Sequence, residues 1–134
     1  MVIDTSAIYA AIANEPDGAF YRQAIKTASL RLISAVTLLE TRIVLFARLG
    51  PDAIVTFDEL IERARIVVVP FDRALSETAF DAFRRFGKGQ GGPAQLNIVD
   101  CAAYALAHAR SLPLLFKGND FRATDVTPVL MPGS

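Results

Sequence analysis

Short runs of aliphatic and β-branched residues alternate along this chain with longer stretches of helical periodicity, and few folds accommodate that pattern. The short runs cover 1–4, 30–34, 66–69 and 112–116, each the length of a buried strand. Helical patterns fill 6–14, a segment with Phe20, Ala24, Ile25 and Ala28 on one face, 35–48 and 52–64. Asp72 is placed to cap a fifth helix that turns Leu75, Ala79, Ala82, Phe83 and Phe86 inward. A sixth carries Ile98, Cys101, Ala105, Leu106 and Ala109 at core spacing and ends near Ser111. Pro16, Gly18, Gly50-Pro51 and Pro70 punctuate the elements, and 87–93 is a glycine-rich loop. A short edge strand is expected over 127–130. Strands alternating with helices predict an α/β fold with a mainly parallel central sheet of four to five strands and helices on both faces. A single domain over 1–131, with 132–134 as a short tail, is long enough for one core.

Composition narrows the partners. The hydrophobic fraction of 52% and mean hydropathy of +0.35 are high for a soluble protein, yet no run reaches the roughly 18–20 apolar residues of a membrane span. Such a surface predicts a homodimer, a bound partner or both. Fourteen basic and fourteen acidic residues cancel, so net charge says nothing for or against nucleic acid. Arg84, Arg85, Lys88, Lys117 and Arg122 are candidates to border an acidic pocket. One cysteine excludes a disulfide framework and a cysteine-based zinc site, and Cys101 reads as buried filler. The chain opens directly on a strand, without the basic and apolar regions of a signal peptide, which predicts cytoplasmic residence.

Four acidic residues sit where folding alone does not call for them: Asp4, Glu40, Asp100 and Asp120. Asp4 ends the first strand and Asp120 follows the fourth, and ligands of parallel sheets bind beyond the carboxyl ends of the strands. Each alone has a plain structural role, as a helix cap or a turn residue. Ser34 offers a cap that puts Glu40 a turn or more inside its helix, flanked by Val36, Ile43, Val44 and Ala47. A carboxylate in that apolar arc is costly unless paired, protonated or bound to metal. Asn97 can cap the last helix, which places Asp100 in the first turn, where the helix dipole favours negative charge. Four converging carboxylates suit Mg²⁺ or Mn²⁺ held against a phosphate. Thr5 and Ser6 are positioned to support the site or to cap the helix. Lys117, Arg122 and Lys88 are candidate phosphate contacts, with Lys117 alternatively offsetting the charge of the carboxylates.

Competing chemistries find less support. His108 is the only histidine, so two-histidine ribonuclease chemistry is excluded, and a role near a helix C-terminus is expected for it. The 87–93 loop lacks the P-loop pattern. A phosphoacceptor domain of the dehalogenase type needs a second Asp two residues after the first, and position 6 is serine. Receivers usually carry an acidic pair after the first strand, whereas Asp4 precedes Thr5.

Residues 2–6, Glu40, the segment 96–107 (Leu96-Asn97-Ile98-Val99-Asp100 onward) and Phe116-Lys117-Gly118-Asn119-Asp120-Phe121 resemble the PIN-domain ribonucleases, and more narrowly the VapC toxins of bacterial toxin–antitoxin pairs. The resemblance spans nearly the whole chain. It implies a Mg²⁺- or Mn²⁺-dependent endoribonuclease in which Asp4, Glu40, Asp100 and Asp120 form the acidic site. It further implies tRNA or rRNA as substrate class, a homodimer, and silencing by a VapB antitoxin. One departure stands beside the third acid. The family often has glycine there and this chain has Val99, whose branched side chain is expected to narrow the approach or tilt the helix start. A catalytically weak or inert module that binds RNA or protein is the alternative reading.

Overall fold

The computed structural model describes residues 1–129, so Leu130, the boundary at 131 and the 132–134 tail lie outside the described residues. The elements run β1 (Val2–Ile3), α1 (Thr5–Ile12), α2 (Gly18–Thr27), β2 (Leu32–Ser34), α3 (Ala35–Leu49), α4 (Pro51–Arg63), β3 (Val67–Val69), α5 (Arg73–Phe86), α6 (Ile98–Arg110) and β4 (Leu114–Leu115). All strand pairs are parallel, in the order β3-β2-β1-β4. The expected alternation is present, with strands shorter than the apolar runs. Only Leu114–Leu115 of the 112–116 run is strand. The expected edge strand is reduced to one parallel bridge, Leu114 to Pro128.

The two-residue period of the strands sorts their side chains into two cores. Ile3, Ile33 and Leu115 face one side, where they meet Ile8, Ile25, Leu45 and Phe57 from the α1, α2, α3 and α4 helices. Val2, Leu32 and Leu114 face the other, against Ala82, Leu96, Tyr104 and Leu106. Covering both faces of a parallel sheet is what the unbroken aliphatic runs required. In α6, Asp100 through Ala107 are all buried, and its alanines allow close approach to the sheet.

Several expectations about individual residues fail. Ile98 lies at core spacing but is 82% exposed, whereas Asp100 in the same turn is buried. Ala109 is exposed in the last turn. On α3 the buried stripe is Thr37, Thr41 and Leu45, whereas Leu39, Ile43 and Phe46 face solvent. The apolar arc around Glu40 is therefore largely surface rather than core, and Glu40 itself is half-buried. Hydropathy pointed the helix the wrong way round, because its inward face is polar: the Thr5 hydroxyl bonds to Thr41 Oγ1 at 3.0 Å, and Thr41 donates in turn to the Thr37 carbonyl at 2.7 Å.

Candidate active site

The strand order reverses between β1 and β4, and this switch point is where α/β sheets open a crevice at the carboxyl ends of their strands. A cleft of about 380 Å³ lies there, lined by Asp4, Glu40, Asp100 and Asp120 together with Thr5, Ser6, Tyr9, Glu15, Val44, Arg48, Asn97 and Lys117. Residues separated by more than a hundred positions meet because β1, β2, β4 and α6 all present an end to the same rim.

Asp4 is 5% exposed. Its Oδ2 accepts from the Ser6 amide at 3.1 Å and the Ser6 hydroxyl at 2.6 Å, so it caps α1. Its Oδ1 is buried without a hydrogen-bond partner. Burial raises the carboxyl above its ordinary range, against the two Ser6 bonds, and Glu40 adds to the rise. Ser6 Oγ also accepts from the Lys117 amide at 2.9 Å, which joins the ends of β1 and β4 through one hydroxyl.

Asp100 completes a capping box: its amide donates to Asn97 Oδ1 at 2.8 Å, and its Oδ2 accepts from the Asn97 amide at 3.0 Å. Burial pushes its carboxyl up to about 7, opposed by the Asn97 bond and reinforced by the charges of Asp4, Asp120 and Glu40. Both acids thus give one oxygen, Oδ2, to a helix cap. Val99 is half-buried and does not line the cleft.

Glu40 reaches the cleft from the second turn of α3. Asp120 lies on an exposed turn after β4, which Gly118 opens with a φ of +102° that side-chain-bearing residues rarely adopt. The next residue, Phe121, is buried and packs against Phe116 at a ring separation of 5.2 Å.

The basic candidates fare differently. Lys117 lines the cleft, but its Nζ is engaged by Glu15 at 2.8 Å and Asp17 at 2.9 Å, and these bonds raise its pKa. Lys88 and Arg122 are exposed and do not line the cleft. Thr5 faces the seam between α1 and α3, bonded to Thr41. His108 is exposed and stacks on Tyr104, and Cys101 is buried as expected. Three lining residues escaped the sequence reading, Tyr9, Glu15 and Arg48, and Val44 entered it only as a neighbour of Glu40. Glu40, Val44 and Arg48 follow one another at four-residue spacing, and that period was the signal available for Arg48.

Among the described residues no three His, Cys, Asp or Glu side chains are gathered tightly enough to cage a metal ion. The donor set nevertheless fits a hard cation. An orphaned carboxylate oxygen of Asp4 and a shared acidic field suit an ion that keeps several waters and takes only one or two carboxylates directly.

Residues 1–126 match the PIN domain family model. The chain is 45% identical to Ribonuclease VapC28 of Mycobacterium tuberculosis over 130 residues, 97% of this chain and 98% of that one. It is 42% identical to Ribonuclease VapC of Mycolicibacterium smegmatis over 129 residues, covering 96% and 99%. Among solved structures, Mycobacterium tuberculosis VapC20, described as a sarcin–ricin loop cleaving toxin, superposes with a TM-score of 0.79 at 21% identity over 98% of both chains. The VapBC2 complex of Rickettsia felis, bound to a promoter DNA fragment, gives 0.73 at 16% identity, covering 96% of each. At those identities the structures establish the fold, and the sequence relatives establish the kinship. The chain belongs to the PIN-domain family, among its VapC ribonucleases.

Proposed function

We propose that this chain is a Mg²⁺- or Mn²⁺-dependent endoribonuclease, the toxin of a toxin–antitoxin pair, with Asp4, Glu40, Asp100 and Asp120 as its working carboxylates. The observation that carries the reading is the unpartnered, buried Oδ1 of Asp4 in a cleft shared with Glu40, Asp100 and Asp120. A buried carboxylate oxygen without a donor is costly unless a ligand completes it. Asp4 and Asp100 would hold the ion, and Glu40 and Asp120 would orient its waters. Bound there, such an ion supplies charge neutralisation on the phosphate and lowers the pKa of an attacking water. The protein's own part is positional. Ser6 fixes Asp4, Asn97 fixes Asp100, and burial keeps both in low dielectric, where their charge acts strongly.

Tyr9 and Arg48 beside the carboxylates suit the cleft to a nucleic-acid strand once a cation offsets the acidic charge. The ribonuclease names of the relatives support RNA as substrate, for which the tRNA or rRNA class is our proposal. Leu39, Ile43, Phe46, Leu49 and Val55 leave an exposed apolar surface on the α3 and α4 helices, which supports a protein partner: a VapB-type antitoxin, a second copy in a homodimer, or both. No helix among the described residues is long and apolar enough to cross a membrane. Cytoplasmic residence fits an RNA substrate and an antitoxin partner.

Purified protein is expected to cleave total cellular RNA with Mg²⁺ or Mn²⁺ and to stop in EDTA, and Asp4→Asn is expected to abolish cleavage. Cleavage that persists in EDTA would exclude the mechanism. Metal binding without any cleavage would favour the inert module.

A further inference from the structure

A cleft lined by five carboxylates has to attract a polyanion, and the structure offers it two cations, Lys117 and Arg48. Lys117 is committed, with both Glu15 and Asp17 within 2.9 Å of its Nζ. Arg48 has no carboxylate partner among the ion pairs of the described residues. Its guanidinium lies over the Tyr9 ring, 5.2 Å from the centroid. A ring face holds the plane of a guanidinium and leaves its in-plane N–H donors available. Both residues line the cleft, from facing helices: Tyr9 one turn along α1 from Thr5, Arg48 two turns along α3 from Glu40. Two turns put Arg48 about 12 Å along the helix axis from Glu40, toward the far end of the cleft from the acidic rim.

We propose that Arg48, steadied by Tyr9, binds a phosphate of the RNA strand that flanks the scissile one, and that the strand runs from the acidic rim along the groove between α1 and α3. The inference rests on the ribonuclease reading and adds a binding subsite to it. A planar fork of donors suits a phosphate's paired oxygens better than a point charge does. Arg48 contacts backbone and not base edges, so it contributes affinity without sequence preference. It also separates the two tasks of the cleft. The carboxylates handle the reacting phosphate, and strand capture is left to a cation outside their immediate field.

The test uses the full chain and a short end-labelled oligoribonucleotide, with binding followed by fluorescence anisotropy in EDTA over a range of KCl concentrations. Arg48→Ala is expected to weaken binding about tenfold and to lower the slope of log Kd against log salt by about 0.7 to 0.9, the contribution of one phosphate contact. Arg48→Lys is expected to keep the slope and to recover only part of the affinity. With metal present, Arg48→Ala should raise KM while kcat and the Mn²⁺ affinity stay close to those of the parent. Arg48 is exposed on a helix, so its variants should fold, which circular dichroism checks. An unchanged slope and affinity in Arg48→Ala, beside a parent that binds and cleaves RNA, would overturn this inference alone. A parent that neither binds nor cleaves RNA would overturn it together with the ribonuclease reading.

Discussion

Asp4 and Asp120 leave neighbouring parallel strands at the same rim, yet they are held in opposite ways. Asp4 is buried, its backbone amide bonds to the Leu115 carbonyl at 2.9 Å, and Ser6 grips one carboxylate oxygen twice. Asp120 is exposed on an irregular turn, and its position depends on anchors either side of it: the Lys117 amide on Ser6 Oγ, the buried Phe121 ring, and Asp125 further along. Asp100 belongs with Asp4, buried and capped, while the half-exposed Glu40 stands nearer to Asp120. The site therefore has a rigid half that is costly to fold while charged, and an open half that is cheap to fold and easier to displace. A cleft built this way can hold an ion firmly on one side and still admit a strand on the other.

The largest effect should expose that division. Asp100→Asn is expected to reduce cleavage by more than about a hundredfold, beyond the cost of losing an outer-shell partner. The same change should leave the metal-free fold as stable or more so near neutral pH, since it removes a buried charge while an amide oxygen can still accept from Asn97. Asp120→Asn, on the open half, is expected to cost about tenfold in cleavage, within the outer-shell range, with no gain in stability. Equal losses in activity and identical stabilities for the two variants would erase the distinction. Cleavage rates and urea midpoints decide it.

The second effect is one of pH. Asp100 keeps a proton up to about 7 in the folded protein, against an ordinary value of 3.8, so between these limits the folded state binds more protons than the unfolded one. Stability of the metal-free protein must then fall as pH rises through that window, by up to about 1.4 kcal/mol per pH unit for each such group. The raised Asp4 contributes with the same sign. Urea midpoints measured from about pH 4 to about pH 7 should decline, because the linkage has that direction. Asp100→Asn should flatten much of the decline and Asp120→Asn little of it. A midpoint that rises with pH in the parent would contradict the assignment of the buried half.

The sequence disclosed these two halves unequally. Asp4 and Asp100 were legible because caps have a local grammar: an acid two residues before a serine amide, and an asparagine three residues before an acid. The sheet was legible from its aliphatic runs, since both faces of a parallel sheet must be covered. Glu40 was singled out for a reason that does not hold. Its apolar neighbours Ile43 and Ala47 face solvent, and the inward face of α3 is threonine bonded to threonine, which hydropathy cannot see. Lys117 read as a phosphate contact because the acids that neutralise it, Glu15 and Asp17, lie a hundred residues earlier in a loop without periodicity. Arg48 was missed because its partner Tyr9 belongs to another helix. Contacts within one turn could be read from order alone, and contacts between elements waited on the fold.

The smallest expected effect tests how the open half is held. Asp125 closes the turn that carries Asp120: Tyr104 donates its hydroxyl to Asp125 Oδ1 at 2.5 Å, and Arg85 reaches Oδ2 at 2.9 Å. The Tyr104 ring is buried between Phe86 and His108, so the clamp ties the turn to α6 and not merely to a mobile surface cation. Tyr104→Phe keeps the ring and removes the bond, at a cost of about 0.5 to 1.5 kcal/mol of stability. Cleavage should fall only about two- to threefold, because one anchor of several is lost. The informative measurement is a cycle with Asp120→Asn. If the clamp serves to place Asp120, Tyr104→Phe has nothing left to displace in the Asp120→Asn background, and the double variant should cleave no worse than Asp120→Asn alone. The stability loss, which does not pass through Asp120, should persist in both backgrounds. An equal loss of cleavage with and without Asp120 would mean that Tyr104 supports the fold at large, and the turn would then owe its geometry to the Lys117–Ser6 bond, Gly118 and Phe121.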